Sequence, residues 1–339
     1  MPEYPLPKEG GRVGDAGGCR CRERTAIPLD PPSSARGKTS GVTGILLLDK
    51  PQGISSNRAL QQAKRLFDAS KAGHTGSLDP LATGLLPICF GEATKIAGYL
   101  LGARKAYVAE CRLGITTDTC DSEGAMLVER TVPMLDDGAL RAELAKLTGH
   151  ITQIPPVYSA LKQGGVPLYK RARRGEAVEA PPREVDVFRF DLTGREGTAM
   201  RLHVECGSGT YVRSLVRDLG EALGCGAHLT ALRRLWVEPF HEPRMHTLDE
   251  LAAAREHDGA AALLETLLPV EAGLADWAVL ELDESGADAV AHGRALRTGV
   301  SAGRYRAEAP DGRLLAIGEV GADGFFKVVR GFVGECRLG

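Results

Sequence analysis

The sequence contains no apolar run that approaches the ~18 residues needed to span a bilayer. Its N-terminus lacks the apolar core of a signal peptide. Aromatic residues make up only 5% of the chain, and the eight cysteines are scattered without the spacing of a disulfide framework. These absences argue against a membrane protein and against a small disulfide-stabilised secreted domain. We therefore expect a cytoplasmic protein with reduced thiols.

Several common catalytic motifs are absent as well. The chain has no Walker A loop, no Rossmann fingerprint, no G-x-S-x-G elbow and no Cys/His cluster of zinc spacing. Cys19 and Cys21 could be half of a zinc site, but two thiols in a flexible tail are the more common case. Asp118, Asp121 and Glu123 do not have the spacing of a calcium loop, so we predict no metal there.

Composition divides the chain into three parts. Residues 1–41 are rich in Pro, Gly, Ser and mixed charge, which predicts a disordered extension. Residues 42–268 mix strand and helix patterns, and residues 269–339 show short alternating strands with Asp-Gly hairpin signals at 311–312 and 323–324. We predict an α+β domain followed by a small β-rich domain. The net charge of −2 neither supports nor excludes a nucleic-acid partner.

The most conspicuous stretch is a glycine-containing loop, residues 73–91, with the sequence GHTGSLDPLATGLLPICFG. Asp79 is its only carboxylate, and the following Pro80 holds Asp79 in an extended conformation. In most Asp-Pro turns the aspartate only caps a backbone N–H group. Considered by itself, Asp79 is therefore either such a structural turn residue or part of a functional site. His74 could form a dyad with Asp79 or only line the loop. The density of special residues favours a site, with the apolar half of the loop as its anchor.

Other candidate side chains carry similar alternatives. Lys50, at the end of the predicted strand GILLLDK, is an active-site cation or a solvent-exposed lysine, and the residues alone favour solvent. Tyr107 starts an alternating strand, where it is a core residue or a ring on which a base could stack. Arg213 lies in the first turn of a predicted helix, where the helix dipole is slightly unfavourable to a cation, so a partner anion is expected. Arg233 and Arg234 are expected at the surface.

A basic stretch interrupts the pattern between residues 151 and 183. Between Ser159 and Arg174 it contains positive residues and no acid; these are Lys162, Lys170, Arg171, Arg173 and Arg174. Tyr158 and Tyr169 lie close by in sequence. A solvated charge run and a surface for RNA phosphates and bases explain this stretch equally well.

Five long segments of the chain, taken in their order along the sequence, resemble those of a known protein family. They are LLLDKPQGISSN, GHTGSLDPLATGLLPICFGEATK, KAYVAECRLGITTDTCDSEG, QIPPVYSALK and GTYVRSLVRDLGEALGCGAHLTALRR. Together they resemble the bacterial TruB family of tRNA pseudouridine synthases, over about residues 42–339. The resemblance implies a pseudouridine synthase fold, with a mixed and mostly antiparallel sheet flanked by helices in residues 42–268. It also implies a PUA-like RNA-binding domain in residues 269–339.

The resemblance also assigns roles to individual residues. Asp79 matches the catalytic aspartate, Tyr107 the tyrosine that stacks on the target base, and Arg213 the arginine that pairs with the aspartate. His74 matches the histidine that enters the RNA loop during base flipping. Further matches are the pocket-lining positions Lys50 and Tyr211, and a thumb-like insertion at about 155–183 that carries Lys162, Arg171, Arg173 and Arg174.

The implied activity is isomerisation of uridine 55 in the TΨC loop of tRNA to pseudouridine. The base must be flipped out, detached from C1′, rotated and reattached through C5. Asp79 either attacks C1′, as in retaining glycoside hydrolysis, or removes the 2′ proton to form a glycal. The phenol of Tyr107 could help to remove the C5 proton. No electrons or groups are gained, so no cofactor or metal is expected.

The expected partner is the T-arm of tRNA, with no guide RNA, no membrane and a monomeric state. Two alternatives come from different classes of protein. One is a guide-RNA-dependent enzyme of the dyskerin type, and the other is a noncatalytic module that binds or folds tRNA. The presence of Asp79, Tyr107 and Arg213 together argues against loss of activity.

Overall fold

Two large sheets and two small two-stranded sheets, with helices against them, make up the computed structural model, which describes residues 41–159 and 161–332. The predicted N-terminal extension, with Cys19 and Cys21, lies outside these ranges except for Gly41. The strands of the first part are β1 (Gly44–Lys50), β2 (Ala72–His74), β3 (Thr83–Phe90), β4 (Lys105–Leu113), β5 (Ile115–Thr117), β6 (Met126–Glu129), β7 (Gly149–Gln153), β8 (Lys162–Gln163), β9 (Val166–Pro167), β10 (Arg183–Glu196), β11 (Ala199–Cys206) and β12 (Ala227–Val237). The later strands are β13 (Ala278–Glu281), β14 (Leu296–Arg297), β15 (Gly303–Glu308), β16 (Leu314–Val320) and β17 (Phe325–Gly331).

The helices pack against these strands. They are α1 (Ser56–Leu66), α2 (Ala97–Leu101), α3 (Asp137–Lys146), α4 (Leu168–Ala172), α5 (Val212–Ala222), α6 (Leu248–Leu264) and α7 (Glu284–Ala291). Two short 3-10 helices span Gly91–Lys95 and Val270–Leu274. Among the helices in the described ranges, none combines the length and apolarity that a membrane crossing requires.

The central sheet has the strand order β1-β3-β12-β4-β11-β10-β7, and β2 also pairs with β3. Its pairs are antiparallel apart from β12 and β3. That parallel contact depends on Gly84, which lies opposite Arg234 with a φ of +94°. A Cβ at Gly84 would lie 2.2 Å from the carbonyl oxygen of Arg234, so only glycine allows this approach. The mixed, mostly antiparallel sheet with helices confirms the predicted α+β class.

The alternation of side chains decides which face of each element is buried. In β4, the predicted inward residues Tyr107, Ala109, Cys111 and Leu113 are all buried against α5 and neighbouring strands. On α5, the predicted apolar stripe of Val212, Leu215, Val216 and Leu219 packs into the same core. The segment LLPICF forms β3 and is completely buried, which confirms it as the anchor of the Asp79 loop.

The second sheet contains β13-β15-β16-β17-β14 and is built from residues after 277. The Asp-Gly signals occur where predicted, because Gly312 and Gly324 have φ values of +78° and +73° in the turns that join β15 to β16 and β16 to β17. Ile317 of this sheet packs into one apolar cluster with Ile45 and Leu85 of the central sheet. The division at residues 268 and 269 stays a prediction, and the two sheets share part of their core.

Candidate active site

The loop that carries Asp79 is bound on both sides to the start of α1. Ser55 caps that helix by accepting a hydrogen bond from the backbone N–H of Arg58. This leaves the neighbouring Ser56 to donate to the carbonyl of Leu78 at 3.0 Å and to accept from the N–H of Leu78 at 2.7 Å. On the other side, the N–H of Gly53 donates to the carbonyl of Pro80 at 2.8 Å. The backbone around Asp79 is therefore held firmly in place.

Arg213 lies in the first turn of α5, as predicted, and only 4% of it is exposed. Its Nε lies 2.9 Å from Oδ2 of Asp79, which forms the expected ion pair. The start of α5 is fixed by Gln153, whose side-chain amide accepts from the N–H of Tyr211 at 2.8 Å and donates to its carbonyl at 3.1 Å. These bonds fix the start of α5 and so hold the Arg213 guanidinium beside Asp79.

Arg213 also binds two further segments of the chain. Its Nη1 donates to the carbonyl of Thr119 at 2.8 Å and lies 3.5 Å from Oδ2 of Asp121. Its Nη2 donates to the carbonyl of Tyr158, at the start of the basic insertion, at 3.0 Å. Asp121 is 3% exposed. The sequence analysis considered Asp121 only as a metal ligand and missed this contact with the arginine.

The charges around Asp79 have opposing effects on its pKa. Burial among protein atoms raises the pKa of Asp79 above the usual value, although 42% of its side chain remains exposed. The Arg213 guanidinium lowers this pKa, and the nearby carboxylate of Asp121 raises it. Arg213 thus favours the ionised form of a carboxyl group whose pKa burial raises.

A cavity of about 310 Å³ opens beside Asp79 and is also lined by Tyr107, Tyr211 and Arg213. Tyr107 is 7% exposed, and burial raises the pKa of its phenol to about 12. The phenol is therefore protonated at neutral pH. This favours the ring of Tyr107 as a surface for stacking over the phenol as a base for the C5 proton.

Two of the other candidate residues lie outside the lining of this cavity. Lys50 is completely buried, so the interpretation of a solvent-exposed lysine is wrong. Its Nζ donates to the carbonyls of Pro51 and Ile54, both at 2.8 Å, and burial lowers its pKa to about 8. His74 ends β2 and is half-buried, and burial lowers its pKa. No hydrogen bond or ion pair joins His74 to Asp79 among the described residues, which leaves the dyad interpretation without support.

The basic insertion between β7 and β10 contains the β8–β9 hairpin and α4, and it is anchored by the buried Leu168. Lys162, Arg173 and Arg174 are exposed. Arg171 is instead bound within the insertion, because its Nε donates to Glu176 at 2.6 Å and its Nη1 donates to Gln163 at 2.7 Å. The exposed cations, rather than Arg171, are available to an external anion.

Two cations of the cavity wall were missed or misplaced by the sequence analysis. Arg234 was expected at the surface, but it is 0% exposed and lines the cavity, so that prediction is wrong. Lys105 was not considered, and it is 7% exposed in the same wall. Side chains two residues apart in a strand point to the same face. Lys105 is two residues from Tyr107, and Arg234 is two residues from the buried Leu232, so strand alternation could have predicted that both cations point inward.

Comparison with solved structures defines the class of this fold. A chain in the crystal structure of a Cbf5–Nop10–Gar1 complex is similar with a TM-score of 0.68 and 26% identity, over 86% of this chain and 85% of that one. A chain in the structure of an H/ACA RNP bound to a substrate RNA containing 2′-deoxyuridine has a TM-score of 0.67 at 24% identity, which shows the fold alone. The fold is that of a pseudouridine synthase, with a PUA-like C-terminal domain.

Family models match consecutive parts of the chain. The model of the TruB family pseudouridylate synthase N-terminal domain matches residues 64–212, and that of the tRNA pseudouridylate synthase B C-terminal domain matches residues 213–275. The model of the tRNA pseudouridine synthase II C-terminal region matches residues 277–329.

Two relatives show the same relationship over most of the chain. The tRNA pseudouridine synthase B of Xanthomonas axonopodis pv. citri is 58% identical over 86% of this chain and 94% of its own length. That of Xylella fastidiosa is 55% identical over 83% of this chain and 93% of its own length. The chain belongs to the TruB family of pseudouridylate synthases, which are isomerases, and the predicted resemblance is confirmed.

Proposed function

We propose that this enzyme converts uridine 55 in the TΨC loop of tRNA to pseudouridine, with Asp79 as the catalytic group. The relatives named tRNA pseudouridine synthase B support tRNA as the substrate. The observation that carries the proposal is the 2.9 Å ion pair between Asp79 and Arg213 in a cavity that also presents Tyr107. This arrangement has a carboxylate for the sugar and a ring for the base.

The chemistry follows from the change that the substrate undergoes. The target uridine leaves its loop and enters the cavity, where its base stacks on Tyr107. Asp79 either bonds to C1′ or removes the 2′ proton, and in both cases the bond between N1 and C1′ breaks. The base then rotates, and C5 bonds to C1′ as the bond from Asp79 to C1′ breaks or as the 2′ proton is returned. The C5 proton is lost and N1 takes up a proton. All heavy atoms of the product come from the uridine, one proton leaves C5 as one joins N1, and no net oxidation occurs, so we propose a reaction without cofactor or metal.

RNA binding is assigned to parts of the protein around the cavity. His74, the exposed cations of the basic insertion and the PUA-like domain would contact the folded tRNA, and a monomer would suffice. Tyr211 lines the cavity and is a direct candidate for contact with the flipped nucleotide. Lys50 would act through the Asp79 loop, because its Nζ contacts only backbone carbonyls, including that of Pro80 at 3.5 Å.

A second possible function is that of a guide-RNA-dependent enzyme of the dyskerin type. The structural similarity to a chain of the Cbf5–Nop10–Gar1 complex motivates this alternative. A guide-dependent enzyme would leave a bare tRNA transcript unmodified until a guide was added. A noncatalytic module would bind the transcript and modify nothing under either condition.

The decisive experiment incubates the full-length protein with an unmodified tRNA transcript and maps pseudouridine at each position. We expect product at position 55 without guide RNA. Asp79→Asn is expected to abolish the product while RNA affinity is retained, because the amide cannot act as nucleophile or base. The matched control is Asp49→Asn, since Asp49 pairs with Arg233 at 2.7 Å and does not line the cavity. Product at full rate from Asp79→Asn would remove Asp79 from its proposed role.

A further inference from the structure

Two buried cations share one wall of the cavity that contains Asp79 and Tyr107. Arg234 is 0% exposed, Lys105 is 7% exposed, and both line this cavity. They are close neighbours, because a Cβ built on Gly76 would lie 3.7 Å from Nη1 of Arg234 and 3.7 Å from Cε of Lys105. The roles proposed above use neither side chain.

Both side chains retain unused hydrogen-bond donors. Arg234 Nε donates to the carbonyl of Leu85 at 2.6 Å, and Nη2 donates to the carbonyl of Gly76 at 3.2 Å. Nη1 is buried and has no hydrogen-bond partner among the described residues. Lys105 Nζ donates to the carbonyls of Ala103 and Leu101, at 2.6 and 3.2 Å, which leaves one N–H of the ammonium group unused.

The two positive charges are not balanced by an ion pair. Within the described part of the chain, neither Lys105 nor Arg234 has a carboxylate within 4.0 Å. Burial and the charge of Arg234 lower the pKa of Lys105 to about 8, and Cys206 and Glu238 oppose this. Adjacent buried cations without a paired anion are unfavourable to the folded protein. Their presence is explained if an anion forms between them during the reaction.

The isomerisation itself produces such an anion. When the N1–C1′ bond breaks, its electron pair stays with the base, and the charge spreads over the ring and its carbonyl oxygens O2 and O4. The Asp79 carboxylate balances this step by bonding to C1′ or by accepting the 2′ proton. We propose that Arg234, assisted by Lys105, stabilises the detached uracil anion. This inference rests on the proposed function, and it assigns to this wall the charge that develops on the base.

The position of the cations favours the base over an RNA phosphate. Arg234 lies opposite Tyr107, the residue on which the base is proposed to stack, in the pairing of β12 with β4, and its charge lowers the pKa of that phenol, which burial raises. Nη1 is removed from water, whereas a backbone phosphate continues into the RNA chain and must stay near the mouth of the cavity. Because Tyr107 and Arg234 line the same cavity on paired strands, the carbonyl oxygens of a base stacked on Tyr107 are the natural acceptors.

The test compares uridine with 5-fluorouridine at the target position of the same tRNA. Fluorine withdraws electrons and stabilises the base anion, so the fluorinated base needs less help from the protein. Single-turnover loss of the target nucleoside is measured at saturating enzyme. With uridine, Arg234→Gln is expected to slow the reaction by roughly 10²–10³-fold, the range for removal of one charge-stabilising donor. With 5-fluorouridine the slowing is expected to be at least about tenfold smaller.

Two further variants complete the comparison. Lys105→Met is expected to slow the reaction of uridine more than that of 5-fluorouridine, as Arg234→Gln does, but by a smaller factor. Arg233→Gln is the matched control on the same strand, since Arg233 binds Asp49 at 3.0 and 2.7 Å and does not line the cavity. We expect it to leave the ratio unchanged. Arg234→Lys retains the positive charge and is expected to restore part of the uridine rate.

Each contrary result has its own signature. Equal slowing on both substrates with a weaker salt dependence of RNA binding would assign the wall to a phosphate and overturn the proposal. Equal slowing with unchanged salt dependence and a lowered melting temperature would make Arg234 purely structural. If Arg234→Gln does not fold, Lys105→Met carries the same test on the second cation of the wall. Absence of product from the unsubstituted enzyme would instead contradict the proposed function.

Discussion

At the scale of single residues, Arg213 joins parts of the chain that are far apart in sequence. Its guanidinium contacts Asp79, Asp121 and the carbonyls of Thr119 and Tyr158. A planar guanidinium can make these contacts at once because its donors point in several fixed directions. The same side chain therefore controls the charge state of Asp79 and holds the base of the insertion.

This arrangement predicts how the reaction depends on pH. In the proposed mechanism Asp79 must be ionised. Burial raises its pKa and Arg213 lowers it, so we expect the rate to fall as pH decreases through that pKa. Loss of the guanidinium raises the pKa further. In Arg213→Gln we expect the acid limb of the single-turnover profile to move to higher pH by about 1 to 3 units, with catalysis impaired more than RNA binding.

A neighbour on the same helix provides the control for this prediction. Arg217 pairs with Asp218 at 2.8 Å and is not among the groups that shift the pKa of Asp79. Arg217→Gln is therefore expected to leave the acid limb in place. An acid limb that stays in place in Arg213→Gln would show that Asp79 is not the titrating group.

At the scale of elements, adjacent serines at the start of α1 have separate roles. Ser56→Ala removes both hydrogen bonds to the buried backbone of Leu78. We expect a loss of about 2–3 kcal/mol in the free energy of unfolding and at least a roughly tenfold slower reaction. Ser55→Ala removes only the helix cap, at a cost of about 1 kcal/mol. Urea unfolding and single-turnover rates measure both effects, and equal rates in the two variants would contradict the role of Ser56.

The basic insertion can be tested through salt dependence. Arg173 and Arg174 are exposed, and the nearest carboxylate contact of Arg174 is 3.9 Å. Replacement of both by Gln is expected to lower the slope of log affinity against log salt by about 1.4–1.8, if each contacts one phosphate. Arg171→Gln is expected to have a smaller effect because Arg171 binds Glu176 and Gln163. An unchanged slope in the double variant would assign these charges to a solvated face.

At the scale of the whole molecule, the two sheets are joined by a shared apolar cluster. Ile317 of the second sheet is 0% exposed and packs with Ile45 and Leu85 of the central sheet. Ile317→Ala is expected to reduce the free energy of unfolding by about 2–5 kcal/mol. Because the core is continuous, the loss should appear in both halves of the protein.

Two tryptophans can report on this coupling. Trp236 lies in β12, and Trp277 lies just before β13. In variants that retain one tryptophan each, we expect coincident unfolding transitions, both shifted by Ile317→Ala. Separate transitions would show that the C-terminal residues unfold independently.

Local pattern was sufficient for much of this architecture. Alternation predicted the buried face of β4, the apolar stripe predicted α5, and Asp-Gly pairs predicted the late hairpins, because each depends on residues close in sequence. The motifs also placed Asp79 in a stiff loop and Arg213 at a helix start. The family followed from the motifs themselves, since their order and length are specific.

The tertiary structure decided what the charged residues do. Lys50 and Arg234 looked like surface residues because isolated charges are rarely buried. They are buried here because backbone carbonyls accept their hydrogen bonds. Lys50 donates to the adjoining turn and to Pro80, and Arg234 donates to Leu85 and Gly76. Only the folded chain brings Pro80 to Lys50 and brings Leu85 and Gly76 to Arg234. Asp121 was likewise invisible as a partner of Arg213 because 92 residues separate them. The sequence alone determined which elements form and which aspartate is exceptional, whereas the charge balance around that aspartate arises from long-range packing.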